Sequence, residues 1–157
     1  MFSLKNKRDQ RGFTIVELLI VIVVIGILAA LVVTTYGGIQ AKGRDSQRQA
    51  DLAALQTQVE AFFANNNYYP AVADINSSSW RTTNMKSLDA GAMTDPSSST
   101  ATLDNDAASS TNQKVYGYEA KTSGGTECAA GATDCSTYTL TAYLESSKTV
   151  YSKTALD

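Results

Sequence analysis

The most constraining feature of this sequence is a long stretch without charge near its start. No residue from Leu18 to Gln40 is charged, and nearly all of those up to Val33 are apolar. About 20 consecutive apolar residues are enough for a helix to cross a bilayer. We therefore predict a membrane helix here. The helical pattern runs from about Thr14 to about Asn65, which is longer than any bilayer requires, so its second half projects into water.

Two charged features stand at the beginning of this stretch. Four basic residues and one acidic residue precede Gly12, namely Lys5, Lys7, Arg8, Arg11 and Asp9. A single carboxylate, that of Glu17, lies just inside the apolar run. An unpaired charge is costly at the membrane centre and somewhat less so near its face. Glu17 therefore needs a partner.

The order Gly-Phe-Thr-Ile-Val-Glu-Leu-Leu-Ile-Val-Ile over residues 12–22 resembles the class III signal of type IV pilins and type II secretion pseudopilins. The resemblance implies cleavage between Gly12 and Phe13, N-methylation of Phe13 and a role in assembly for Glu17. It also implies three partners: a prepilin peptidase that is also the N-methyltransferase, an inner-membrane assembly platform, and other copies of this chain. The pair Tyr69-Pro70 is similar to an aromatic-proline pair that follows the helix in this family.

The physical chemistry of Glu17 agrees with this resemblance. Cleavage after Gly12 leaves an ammonium on Phe13, which on one helix lies about 6 Å of rise from Glu17. In a packed filament the carboxylate can instead face the ammonium of an adjacent subunit, so that a costly buried charge is paired when the subunits are in register. We infer that Glu17 sets the register of assembly.

Two other readings of the apolar run are less consistent with the residues. A secretory signal peptide has an apolar region of about 7–15 residues before a small-residue cleavage site, for which Ala29-Ala30 is the only match. The run here is too long, and Glu17 interrupts its start. A plain single-pass anchor accounts for the apolar residues but gives no role to Gly12 or Glu17.

The distribution of charge bears on location and on nucleic-acid binding. Lys and Arg beside a membrane helix stay on the cytoplasmic side, so we expect the precursor in the inner membrane with its C-terminal domain outside. The chain has 13 basic and 15 acidic side chains; loss of residues 1–12 leaves 9 against 14. Because phosphate binding needs clustered Lys and Arg, direct nucleic-acid binding is not expected of this acidic chain.

The sequence predicts an α+β fold in three parts. Residues 1–12 form a leader, residues 13–38 form the membrane or filament-core half of the helix, and residues 39–157 form a globular head. Within the head we expect an amphipathic helix half at 39–65, a variable loop at 71–113 and a sheet at 114–153. The helix half has an apolar stripe on which the domain packs (Leu52, Leu55, Val59, Phe62 and Phe63), and its charged residues take other faces (Arg44, Asp45, Arg48, Asp51 and Glu60).

Local signals mark the ends of these predicted elements. The helix ends at residues 65–67, which are all Asn, because Asn tolerates left-handed backbone and Pro70 disfavours helix before it. One short helix or packed loop is expected around residues 84–93. Antiparallel strands are predicted at 115–120, 137–145 and 149–151, where β-branched and aromatic residues are frequent. In the second strand, Tyr138, Leu140, Ala142 and Leu144 alternate with more polar residues.

The remaining chemistry is sparse. Cys128 and Cys135 are predicted to form one disulfide in an oxidising compartment, because two thiols in a chain without His make a poor zinc site. The missing His and the missing phosphate-binding glycine loop argue against an enzyme. Asp95, Asp104 and Asp106 fall in one polar loop and are weak calcium candidates, since calcium prefers such oxygen ligands; a solvated acidic loop is the favoured alternative.

These observations predict a structural subunit that polymerises into a type IV pilus and supports adhesion, twitching motility or DNA uptake. A pseudopilin of a type II secretion system is the alternative within the same family. A membrane-anchored extracellular binding domain is the alternative from another class, and it predicts that Glu17 can be neutralised with little consequence.

Overall fold

A computed structural model describes residues 12–156, apart from the side chain of Thr34. The predicted leader, residues 1–12, lies outside the described residues except for Gly12. The chain divides into two compact units, with the boundary between Gly38 and Ile39. The elements in chain order are α1 (Ile15–Asn66), α2 (Val72–Asn76), α3 (Ser78–Asn84), a 3-10 turn (Ala90–Met93), β1 (Leu103–Asp104), β2 (Tyr116–Thr122), β3 (Cys135–Leu144) and β4 (Thr149–Thr154).

Helix α1 has two different sequence characters along its length. In the first unit its large apolar side chains are exposed, and the helix is long and apolar enough to cross a membrane. In the second unit, which we call the head, the predicted stripe is confirmed: Leu52, Leu55 and Val59 are fully buried. The 3.6-residue period places these side chains on one face, so the burial follows from the sequence pattern.

The end of α1 follows from its asparagines. Asn67 adopts a left-handed backbone with φ 63°, and its N–H donates to the carbonyl of Phe63 at 2.7 Å. A residue in this conformation just after a helix satisfies a free carbonyl of the last turn. The predicted end at residues 65–67 is therefore confirmed.

The head is completed by a four-stranded sheet in the order β1-β2-β3-β4. Strands β2, β3 and β4 are antiparallel neighbours, and β1 pairs in parallel with β2. Tyr118 is opposite Leu140 and Ala142 is opposite Tyr151. Tyr138, Leu140 and Ala142 are buried in the same core cluster as the α1 stripe. The α+β fold and its three predicted antiparallel strands are confirmed, whereas β1 was not predicted.

The second face of the sheet is also partly covered. Thr141 is buried although it alternates with the core-facing residues, and its Oγ1 accepts a hydrogen bond of 2.8 Å from the N–H of Ala108. The loop after β1 therefore packs on this face. Gly117 in β2 permits the close approach, because a Cβ there would lie 2.6 Å from the carbonyl oxygen of Asp106.

The middle of the chain is more ordered than the sequence predicted. The expected short helix or packed loop around residues 84–93 is present, with the 3-10 turn within it and Met85 and Met93 buried, whereas α2 and α3 before it were not predicted. Two capping side chains mark the starts of α3 and of the 3-10 turn. Ser77 accepts a hydrogen bond from the N–H of Trp80 at the start of α3, and Asp89 accepts one of 2.8 Å from Gly91 at the 3-10 turn.

Candidate functional site

The first turn of α1 is closed by a reciprocal pair of side chains. Both the N–H and the hydroxyl of Thr14 donate to Oε2 of Glu17, at 2.9 and 2.7 Å. In return, the N–H of Glu17 donates to Oγ1 of Thr14 at 3.2 Å. This is the capping box of a Ser/Thr residue followed three positions later by Glu. The pattern Thr14-x-x-Glu17 is visible in the sequence, yet the role of Thr14 was not predicted.

The residues around this box are open to solvent in the described unit. Phe13 is 80% exposed, and the large apolar side chains that follow, from Ile15 to Val33, are exposed as well. Stable soluble domains rarely expose an apolar surface as continuous as this one to water. The segment therefore presents a capped helix start, one carboxylate and an apolar surface that needs either lipid or other protein to cover it.

Comparison with known protein families matches this segment directly. The family model described as the prokaryotic N-terminal methylation motif matches residues 7–33. The chain carries this methylation motif. The match includes Gly12, Phe13 and Glu17, which the sequence analysis singled out. The predicted resemblance to type IV pilins and type II secretion pseudopilins is confirmed.

Curated relatives extend the likeness past the motif. The type II secretion system core protein G of Aeromonas hydrophila is 41% identical over 65 residues, covering 41% of this chain and 46% of the relative. That of Dickeya chrysanthemi is 39% identical over 64 residues, 41% of this chain and 42% of the relative. The type IV major pilin protein PilA of Myxococcus xanthus is 39% identical over 69 residues, 44% of this chain and 31% of the relative. The match thus spans less than half the length of each. No solved structure matches significantly.

The head contains the predicted disulfide. Cys128 and Cys135 are bonded, so this prediction is confirmed. The loop that they close is held at a second point, because the N–H of Gly131 donates to both carboxylate oxygens of Asp74 in α2, at 3.2 and 3.1 Å. The disulfide loop is thereby attached to the helical middle of the chain.

The three weak calcium candidates are not brought together. Asp104 and Asp106 are joined by one hydrogen bond of 3.2 Å, from the N–H of Asp106 to Oδ1 of Asp104. Asp95 is buried, and its two carboxylate oxygens bind the guanidinium of Arg48. Within residues 12–156 no group of three or more potential metal-binding side chains is found. Calcium binding by this loop stays a prediction.

The partner of Asp95 belongs to an ionic cluster that the sequence analysis missed. Arg48 is fully buried and Asp45 is only 5% exposed, so the prediction that both take other faces of α1 than the core stripe is wrong. Nε of Arg48 lies 2.6 Å from Oδ2 of Asp95, its Nη1 lies 2.9 Å from Oδ1 of Asp45, and its Nη2 also binds Glu145. Two local signals were present: Asp45 and Arg48 are three residues apart on one helix, and Arg48 lies four and seven residues before Leu52 and Leu55, which places it on the face of the core stripe.

Glu145 connects this cluster with the end of β3. Nε of Arg44 lies 3.0 Å from Oε1 of Glu145. The hydrogen bond from Arg44, together with that from Arg48, lowers the pKa of Glu145 to about 2 against the opposing effect of burial. Although burial alone would raise the pKa of Asp45, hydrogen bonds from the hydroxyl and N–H of Ser146 lower it. The cluster therefore attaches the start of the head helix to the sheet, and the lowered pKa values keep Asp45 and Glu145 ionised at neutral pH.

A second set of contacts connects α1 with the sheet through tyrosine hydroxyls. The hydroxyl of Tyr138 donates to Oε1 of Glu60 at 2.7 Å, and that of Tyr116 donates to Oδ2 of Asp51 at 2.7 Å. Burial raises the pKa of both tyrosines, as do the hydrogen bonds to these carboxylates. Both tyrosines thus stay protonated donors and fix the helix against β2 and β3.

Proposed function

We propose that this chain is a structural subunit of a type IV pilus. In this proposal a peptidase cuts the membrane-anchored precursor between Gly12 and Phe13, Phe13 is N-methylated, and the subunits polymerise through the first part of α1. The observation that carries the proposal is the carboxylate of Glu17, which caps the N-terminal turn of an exposed apolar helix.

The geometry of Glu17 supports a role in contact with another charge. Its Oε2 is occupied by Thr14, whereas its Oε1 accepts no hydrogen bond from any residue between 12 and 156. A carboxylate in an apolar environment is strongly destabilised unless it is paired. Cleavage creates such a partner, because it turns the amide nitrogen of Phe13 into an ammonium. Thr14 would hold the carboxylate in place while Oε1 is left for the ammonium of a neighbouring subunit.

The proposal includes partners and a location. The processing enzyme is a prepilin peptidase with N-methyltransferase activity, and subunits are extracted from the inner membrane by an assembly platform. Lipid covers the apolar helix before assembly, with the head on the outer side, and other copies of the chain cover it afterwards. The chain itself is a structural component rather than an enzyme, and adhesion, twitching motility or DNA uptake would be properties of the cell-surface fibre.

A second candidate is a pseudopilus of a type II secretion system. It is favoured by the two core protein G relatives, whose identity to this chain of 39% and 41% is as high as that of the type IV pilin at 39%. The two candidates share the processing and assembly steps. They differ in whether the fibre reaches the cell surface or serves the export of other proteins.

The first experiment is mass spectrometry of the N-terminus, combined with an assay for sheared surface filaments. We expect wild-type protein to begin at N-methylated Phe13 and to be found in filaments. Glu17→Ala should lose filaments or N-methylation, whereas Glu127→Ala, which removes an exposed carboxylate of the head, should keep both. A chain that retains Met1 and is indifferent to Glu17→Ala would instead be an anchored extracellular domain.

Deletion of the gene separates the two filament candidates. Loss of surface fibres with normal export of secreted enzymes supports the pilus. Loss of export, with no surface fibres at natural expression levels, supports the pseudopilus.

A further inference from the structure

A cleft of about 650 Å³ lies beside the ionic cluster of the head. Arg48 and Glu145 line it on the side of the cluster, and Lys114, Tyr143 and Lys148 are further lining residues. Clefts that hold small molecules have volumes of about 300–1,000 Å³ and a few convergent polar groups. The cleft is therefore of the size that accommodates a small ligand.

Two of the lining residues are lysines without a charged partner among the described residues. Lys114 lies just before β2, and Lys148 lies in the turn between β3 and β4. Neither side chain has a hydrogen bond or an ion pair with any other residue in the part of the chain that the structure describes, and both residues are exposed. Lys148 also has a left-handed backbone, with φ 57°, a conformation that is uncommon for residues other than Gly and Asn.

The carboxylate that lines the cleft belongs to a cluster of three carboxylates and two guanidiniums. Glu145 is bound by Arg44 and by Arg48, and Arg48 is further bound by Asp45 and Asp95. The two lysines bring the cluster and the cleft lining from a net charge of −1 to one of +1, in a chain whose formal net charge is −2. Such a local excess of positive charge attracts anions.

A third lining residue, Tyr143, offers an uncharged hydrogen-bond donor beside the two lysines. Tyr143 is only 8% exposed, and its hydroxyl makes no hydrogen bond within residues 12–156, so the hydroxyl is available to a ligand. Lys binds oxyanions as a compact point charge with rotatable donors, so it accepts a carboxylate, a sulfate or a phosphate group without the planar geometry that Arg requires.

We propose that this cleft binds the oxyanion group of a small ligand through the side chains of Lys114 and Lys148, with the hydroxyl of Tyr143 as a further donor. A free inorganic oxyanion and the carboxylate of an acidic sugar offer the same chemistry. The site is independent of the proposed filament function, because none of its residues lies in the N-terminal unit.

The test is an NMR titration of the full chain in detergent micelles, labelled with ¹⁵N. Inorganic phosphate, inorganic sulfate and glucuronate are added separately, each against sodium chloride of equal ionic strength, which controls for screening. The variant pair Lys114→Gln and Lys148→Gln is combined in one protein. Its matched control combines Lys42→Gln and Lys86→Gln, two exposed lysines of the head that do not line the cleft.

We expect saturable shifts of the backbone amides of residues 114, 143 and 148 with at least one probe. The cleft variant should bind that probe about tenfold more weakly or not at all, and the control variant should bind as wild type does. Preference for glucuronate would identify an acidic sugar as the source of the oxyanion, and preference for phosphate or sulfate would identify a free ion.

Three results would overturn the proposal. One is the absence of saturable shifts with all three probes, and another is equal binding by the cleft variant. The third is self-association of the wild-type protein in the absence of added anion, if the cleft variant does not self-associate. That result would mean that the two lysines bind an acidic surface on a second copy of the chain. In each variant, the amide signals of residues outside the cleft should be the same as in wild type, which establishes that the variant is folded.

Discussion

Arg48 and Asp95, which are 47 residues apart in the sequence, form an ion pair of 2.6 Å in the interior of the head. The side chain of Arg48 is 0% exposed and that of Asp95 is 1% exposed. Removing Arg48 would leave the buried charge of Asp95 without its ion-pair partner, which is costly, whereas removing Asp95 leaves Arg48 paired with Asp45 and Glu145. The pair therefore holds the segment after the 3-10 turn against α1, and breaking this contact should lower the stability of the head.

Asp95→Ala should lower the free energy of unfolding by about 1.5–3 kcal/mol, because the Arg48 guanidinium loses its most buried partner while Asp45 and Glu145 remain paired with it. Urea unfolding of the full chain in detergent measures this, with fluorescence of Trp80, the one tryptophan of the chain, as the probe. Arg44→Ala is the control. That side chain is 33% exposed, so its ion pair with Glu145 should contribute no more than about 1 kcal/mol.

A double variant refines this prediction. Replacing the pair by apolar residues, Arg48→Met with Asp95→Leu, should cost less than the sum of the two single substitutions, since the charge of Asp95 is no longer left buried without Arg48. Strict additivity of the two single effects, or an Asp95→Ala effect no larger than that of Arg44→Ala, would contradict the assigned role of the pair.

The depressed pKa of Glu145 makes the stability of the head depend on pH. This carboxyl has an ordinary pKa of 4.5 and a folded-state pKa of about 2, lowered chiefly by the hydrogen bond from Arg44. A group whose pKa is lowered by folding stabilises the protein above its unfolded pKa, and this contribution is lost as pH falls. We expect the unfolding free energy to be nearly constant above about pH 5 and to decrease between about pH 4.5 and 2.

The contribution of Glu145 to this decrease can be isolated by substitution. Glu145→Gln should be less stable than wild type at neutral pH and should lose less stability on acidification. Glu119→Gln removes an exposed ion pair with Lys121, at 38% exposure of both side chains, and should leave the acid-induced decrease as in wild type. An equally steep decrease in Glu145→Gln would show that other carboxylates carry the acid sensitivity.

The local elements of this fold follow from local patterns, which is why they were predictable. The helix was expected from about Thr14 to about Asn65 and runs from Ile15 to Asn66. The run of asparagines ends it through the left-handed backbone of Asn67. In β3 the predicted alternation holds for Tyr138, Leu140 and Ala142, which are buried in the core, because the side chains of a strand alternate between two faces; Leu144, at the end of the strand, is only partly buried.

Features that depend on contacts distant in sequence were not predictable in this way. Strand β1 has only two residues and exists because it pairs with Tyr116 and Gly117 of β2. Arg48 is buried because Asp95 and Glu145 reach it from 47 and 97 residues away. The periodicity of α1 does place Arg48 on the face of Leu52 and Leu55, four and seven residues before them, but it does not show which carboxylates would pair with a buried Arg. Because Asp95 pairs with Arg48, it does not join Asp104 and Asp106, with which its position in the sequence had grouped it.

The disulfide should stabilise the head by restricting its unfolded chain. Cys128 and Cys135 are seven residues apart, and closing a loop of this size contributes about 2–3 kcal/mol in the chain-entropy model. Replacing both by Ser should lower the unfolding free energy by that amount, and reduction of wild type should lower it equally. Alkylation and mass measurement should find no free thiol before reduction and two after it. An unfolding midpoint that is unchanged when both thiols become alkylatable would contradict this prediction.

Gly117 should be intolerant of any side chain. A Cβ at this position would collide with Oγ1 of Thr141 and lie 2.6 Å from the carbonyl oxygen of Asp106, because the loop after β1 packs directly on β2. Gly117→Ala should therefore lower the unfolding free energy by about 1–3 kcal/mol, the usual cost of overpacking. Gly124→Ala is the matched control, since the nearest atom to its Cβ would be Oγ1 of Thr122 at 3.8 Å. Urea unfolding compares the two variants, and equal stabilities would mean that the loop moves away from β2 at little cost.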